Sequence, residues 1–134
     1  MTNFELFTLM YFVLDAEYEK DGKTDERLMH YVSELNPFLW DSEDSADPAY
    51  FYDFNKFMQN KTIGDDCGYS LIVEFIKTND EYYFGMEKYF LKTSVEAFKE
   101  AAKRYRAAPH KGDTAWKAEY DKSHVKRKRG GKRK

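Results

Sequence analysis

At 134 residues and 16.0 kDa, the chain has room for one domain with a modest core. An aromatic share of 18%, from 11 Phe, 11 Tyr and 2 Trp, excludes a generally disordered chain, and the single cysteine, Cys67, excludes both an intrachain disulfide and a zinc site built on thiolates. The formal net charge of −2 hides a segregation: residues 1–87 hold 19 Asp/Glu and 6 Lys/Arg, a balance of −13, whereas residues 88–134 hold 5 and 16, a balance of +11.

The first element is a helix over residues 3–20. Thr2 and Glu5 have the spacing of a capping box, and Gly22 sits where a left-handed terminator belongs. Phe4, Phe7, Tyr11, Leu14 and Tyr18 make one stripe, and Leu6, Met10 and Val13 make a second beside it. A helix apolar around so much of its girth is a buried, central one. Its "LFTLMYFVL" is the longest apolar run in the chain and falls far short of the roughly 20 residues a membrane span needs. The N-terminus has no basic leader of a secretory signal. With the lone cysteine, this predicts a cytoplasmic protein.

Thr24 opens a second helix over 24–35, with Leu28, Tyr31, Val32 and Leu35 at helical spacing and Asn36-Pro37 as its stop. "NPFLWDSEDSAD" then reads as a loop with an apolar anchor (Phe38, Leu39, Trp40) and an acidic tip. Asp47-Pro48 is a capping carboxylate followed by proline at the first helical position, so a third helix runs from there to Gln59. Its inner face is Tyr50 or Phe51, Phe54, and Phe57 or Met58. "NKTIGDD" is a turn. Residues 67–77 mix strand and helix signals. No second strand offers itself for pairing, so the segment is assigned to a helix.

The last long segment, Asp80 to Ala107, begins with Thr78 and Glu81 in capping-box spacing. Leu91, Val95, Phe98, Ala102 and Tyr105 form its apolar stripe. Thr93 and Glu96 mark a break near Lys92-Thr93, and Pro109 ends the helix. Beyond it, Trp116 and Tyr120 suit a short docking turn at 114–121, and a disordered basic tail is expected from Lys122. The sequence thus predicts an all-α single-domain bundle of about five helices over residues 1–108, with a flexible basic extension over 109–134.

Two charged surfaces follow. The acidic one gathers Asp41, Glu43, Asp44 and Asp47 beside the aromatics Trp40, Tyr50 and Tyr52. It does not fit a calcium loop. Counting from Asp41, the sixth and twelfth positions of an EF-hand would be Ala46 and Tyr52 where glycine and glutamate are required. An acidic patch with tyrosine and tryptophan anchors does suit a basic protein partner, and charge complementarity speeds such an encounter. The basic one places Lys88, Lys92, Lys99, Lys103 and Arg106 on one side of the last helical segment. Lys126, Arg127, Lys128, Arg129, Lys132, Arg133 and Lys134 follow it in "KRKRGGKRK". Such a surface can neutralise phosphates and release their counterions, the signature of nucleic-acid binding without sequence choice. At low salt the tail can instead fold back on the acidic body.

Catalytic signatures are absent. Cys67 is the one candidate nucleophile. It stands beside Asp65 and Asp66, which oppose thiolate formation, and no base is placed for it by sequence. Asp15 and Glu19 share a helix face without a third ligand, and His30 lies beside the stripe of the second helix. "GDDCGYSLIVEF" lacks the lysine and spacing of a phosphate-binding loop, and "GYS" is not a nucleophile elbow. The sequence therefore predicts no cofactor, no metal and no enzyme. It predicts a small interaction module, inhibitor-like or immunity-like in manner, whose acidic, aromatic-rich body takes a basic partner. Nucleic-acid binding through the C-terminal third is the alternative.

Overall fold

The computed structural model describes residues 1–107, with side chains through Lys103. The side chain of Arg106, the 114–121 turn and the basic cluster 126–134 lie outside the described residues. Seven helices and no strand occur among those described: α1 (Asn3–Lys20), α2 (Glu26–Leu35), α3 (Pro48–Met58), α4 (Tyr69–Lys77), α5 (Asp80–Tyr83), α6 (Glu87–Phe90) and α7 (Val95–Ala107).

α1 forms as its sequence dictates. The Thr2 hydroxyl accepts from the Glu5 amide at 3.1 Å, and the Glu5 carboxylate accepts from the Thr2 amide at 2.8 Å. Both signals of the capping box are therefore present. At the far end the Lys23 amide donates to the Tyr18 carbonyl and the Gly22 amide to that of Glu19, each at 3.1 Å, the two bonds of a Schellman terminator. Between its ends, Leu6, Phe7, Met10 and Leu14 are fully buried. α1 packs against α2, α3 and α6, which makes it the centre of the assembly.

The core is aromatic. Phe7 meets Phe51 and Phe54 edge-on at 5.3 and 5.4 Å, and Phe54 meets Phe75 of α4 at 5.0 Å. Tyr69, Phe90 and Phe98 form a second cluster joining α4, α6 and α7, at centroid distances of 5.1 to 5.7 Å. Edge-to-face rings at these distances add to the burial of apolar area itself. Phe51, Phe54 and Met58 are the buried face of α3.

Four expectations need correction. The continuous helix from Asp80 does not exist, which is why seven helices stand where about five were expected. Phe84 is extended and Gly85 has φ +80°, ending α5, and a second break at 91–94 separates α6 from α7. The break near Thr93 is real, but Ser94 supplies the cap, its hydroxyl accepting from the Ala97 amide at 3.0 Å. Leu91 consequently faces solvent, 51% exposed, and Phe90 takes the core position. The Thr78–Glu81 capping box is not formed. The Thr78 hydroxyl donates back to the Phe75 carbonyl at 2.6 Å, closing α4 rather than opening α5. Finally, Asp25 caps α2 in place of Thr24, accepting from the Arg27 and Leu28 amides. Thr24 is turned to the Asp21 carboxylate.

Candidate functional site: an acidic, aromatic face

The loop between α2 and α3 is acidic and also firmly built. The Ala46 and Asp47 amides donate to the carbonyls of Asn36 and Glu34 at 2.8 and 3.0 Å. Ser45 is fully buried at its centre, its hydroxyl donating to the Asp47 carbonyl at 2.5 Å and accepting from the Phe51 amide at 2.9 Å. The Asp44 carboxylate accepts from the Ser45 amide, and the Asp47 carboxylate from the Ala49 amide, capping α3. Trp40 is pinned through its indole N–H to the Ser45 carbonyl at 2.8 Å, yet 44% of it remains exposed. Asp41, Glu43 and Asp47 face solvent with it, as does Tyr52 on the first turns of α3, whose ring Lys56 overlies at 5.3 Å.

Tyr50 points elsewhere. Its ring lies 5.9 Å from Tyr31 and its hydroxyl is bonded to Glu34, which also accepts from the Tyr83 hydroxyl at 2.8 Å. Tyr31 stacks on Tyr83 at 4.8 Å and donates to the Asn79 side chain at 2.6 Å. This knot of three tyrosines and Glu34 ties α2, α3 and α5 together and joins the acidic loop to the α5 region. Sequence reasoning offered Tyr50 both to the inner face of α3 and to the acidic surface, and missed the rest of the knot, because residues 31, 34, 50 and 83 are brought together only by tertiary packing.

Carboxylates lie close around the knot. Burial pushes the Tyr31 hydroxyl well above its ordinary range, with Asp80 and Glu87 among the charges that add to it. Burial, then Glu34, raises Tyr50 and holds Tyr83 up at about 12. At the N-terminus of α2 the Asp25 carboxylate accepts from Tyr89, which raises that hydroxyl to about 12 and holds Asp25 below the usual carboxylate range. Each raised tyrosine is stabilised in its neutral form. Its contribution to stability is complete below pH 10, the ordinary value, and is lost as pH rises through the folded value. Titration of tyrosinate absorbance alongside circular dichroism tests this. Tyr31, Tyr50, Tyr83 and Tyr89 should ionise only together with loss of helical signal, above about pH 10. Ionisation of all these groups in one reversible step with the helices intact would contradict the assignment.

The basic residues do not form one helical face. Lys88 lies on α6, Lys92 in the turn after it, and Lys99 and Lys103 on α7; all four side chains are exposed. Lys88 and Lys92 each lie 5.2 Å from the centroid of Tyr89. That ring is buried and offers no platform on which a base could stack. Lys103 is paired with Glu100 at 3.3 Å.

Cys67 is half-buried with φ +59°, beside an open cleft lined by Met1, Asn3, Met58, Lys61 and Ile63, and no hydrogen bond links it to a base among the described residues. The neighbouring Asp66 is occupied with the start of α4, accepting from the Gly68 and Ser70 amides and the Ser70 hydroxyl. His30 is exposed on α2. No group of three potential metal ligands occurs among the described residues. None of the described helices is long and apolar enough to cross a membrane. No protein-family model matches the chain, and no curated protein or solved structure matches it.

Proposed function

We propose that this protein is a non-enzymatic interaction module that binds a basic protein surface through the acidic, aromatic face formed by residues 39–47, with Tyr52 at its edge. What supports the reading above all is the hydrogen-bonded construction of the 36–47 loop. Ser45, buried, holds a turn that keeps Leu39 (60% exposed) and Trp40 in water next to Asp41 and Glu43. Exposing apolar side chains on a loop fixed this firmly is unfavourable for a monomer in isolation and suits a partner that covers them. A preformed loop also loses little freedom on binding. The carboxylates around it set the sign of the partner and steer its approach.

The test uses substitutions that remove charge and keep the caps. In Asp41→Asn, Glu43→Gln, Asp44→Asn and Asp47→Asn combined, asparagine at 44 and 47 can still accept from the backbone amides. Affinity for fluorescein-labelled octalysine, followed by anisotropy at about 50 mM salt, is expected to fall about tenfold, since each lost charge contact is worth a few tenths of a kcal/mol to 1 kcal/mol. Helical content and melting temperature should not change. Unaltered affinity in that variant would remove the loop from the binding surface. The alternative, a nucleic-acid surface, rests in the described residues on exposed lysines at 88, 92, 99 and 103. Its densest charge, at 126–134, lies outside them.

A further inference from the structure

Two exposed rings stand apart from the acidic loop. Tyr82 is 74% exposed and Phe84 68%, the two most exposed large hydrophobic side chains among the described residues. They flank Tyr83, whose ring is stacked on Tyr31 and whose hydroxyl is held by Glu34. Two residues on, Met86 is fully buried. The segment is thus clamped at 83 and 86, and the alternation between them turns 82 and 84 outward. Asn79, which precedes the segment, is fixed by the Tyr31 hydroxyl. The rings are presented by an anchored knuckle and not by a loose loop.

Carboxylates predominate in the stretch that carries this knuckle. Asp80, Glu81 and Glu87 belong to the same short stretch. Glu81 is exposed and Asp80 and Glu87 are half-exposed, each of the latter two with one carboxylate oxygen turned inward away from solvent and the rest of the group accessible. Of the cations in this region, Arg27 is engaged with the Phe84 carbonyl at 3.4 Å, and Lys88 is exposed beside Glu87. An apolar partner would bury these carboxylates without compensation, which is costly. A phosphate-bearing partner would be repelled. A cation that can also lie flat on an aromatic ring satisfies both features at once, and the guanidinium group does so. It is weakly hydrated, stacks on aromatic faces and pairs with carboxylates in a planar fork, whereas an ammonium is compact and strongly hydrated.

We infer that the Tyr82–Phe84 knuckle is a docking surface for arginine side chains of a basic polypeptide partner. The inference rests on the proposed reading that the protein binds a basic partner, and it adds a second contact and a preference of arginine over lysine. The knot of Tyr31, Tyr50, Tyr83 and Glu34 links it physically to the 36–47 loop, so one extended partner segment can engage both.

The test compares labelled octaarginine with octalysine on the full chain at low salt. Octaarginine is expected to bind roughly threefold tighter or more, the range of one or two exposed cation–π contacts. Tyr82→Ser combined with Phe84→Ser should abolish that preference without lowering the melting temperature. The charge-neutralised loop variant should weaken both peptides alike and leave their ratio unchanged. Equal affinity of the two peptides for the unmodified protein would overturn the inference, as would a ratio that survives the double serine substitution. If the loop variant weakens binding while the serine variant leaves the ratio intact, the loop reading stands and this one falls. If only the serine variant has an effect, the loop reading falls and the knuckle is the binding surface. Binding seen only when the seven basic residues of 126–134 are replaced by serine would assign the surface to the chain's own C-terminal segment and overturn the inference.

Discussion

Phe54→Ala is expected to destabilise the protein by about 3–5 kcal/mol, the range for truncating a phenylalanine in a packed core. The physical reason is its position at the meeting point of three helices. The ring is fully buried and touches Phe7 of α1, Phe57 of its own helix and Phe75 of α4, at 5.4, 6.5 and 5.0 Å. Those partners are themselves large and held by others, so the space cannot collapse around an alanine. Both the lost transfer energy and the cavity are then felt. Thermal unfolding followed by far-ultraviolet circular dichroism should show a fall in melting temperature on the order of 10 °C. A loss no larger than that of a surface substitution, about 0.5 kcal/mol, would mean that α1, α3 and α4 do not share one core.

Gly68→Ala carries the second large effect, through two independent causes. Gly68 has φ +92°, a region that L residues avoid. A Cβ there would also lie 2.8 Å from Cδ1 and 2.9 Å from Cδ2 of Leu6, which is fully buried and has nowhere to retreat. Backbone strain of about 1–2 kcal/mol and overpacking of about 1–3 kcal/mol should together destabilise the protein by about 2–5 kcal/mol. Gly64→Ala is the internal control: a Cβ there meets nothing within 4 Å, and the change should be near neutral. Urea denaturation of the two variants side by side measures the difference. Equal midpoints would show that α4 does not begin against Leu6.

Much of this architecture is written locally. The reciprocal bonds of Thr2 and Glu5, and the Asp47-Pro48 start of α3, involve neighbours in sequence, so spacing alone exposes them. The same logic misreads Thr78, because a threonine hydroxyl can satisfy the carbonyl behind it as readily as the amide ahead. Here the end of α4 claims it. The long helix assumed from Asp80 fails for a related reason. A single glycine inside an apolar periodicity reads as tolerated, whereas Gly85 takes a left-handed conformation and turns the chain so that Met86 and Phe90, rather than Leu91, reach the core. Once the helix breaks, the lysine spacing computed along it loses its meaning.

The candidate site divides in the same way. The carboxylates of 41–47 are visible as composition, and their exposure follows from it. That the loop is held by internal hydrogen bonds is not visible, since these centre on Ser45, a residue with no motif around it, whose hydroxyl lies between the Asp47 carbonyl and the Phe51 amide. The pairing of Tyr83 with Glu34 spans 49 positions. Tyr82 and Phe84 carried one local hint, aromatics on both sides of a third and just before a glycine, but exposure is settled only when Tyr83 and Met86 are seen to face inward.

The central claim is that one defined acidic, aromatic face takes a basic polypeptide. The most direct measurement is a titration of the isotope-labelled full chain with octaarginine, followed residue by residue through amide chemical shifts at low salt. The account predicts that the largest changes fall on residues 39–47 and 80–84, with Glu34 and Tyr50 between them. Changes spread evenly over every exposed carboxylate, including Glu26, Asp53, Asp65 and Glu74, or centred away from these two segments, would contradict it.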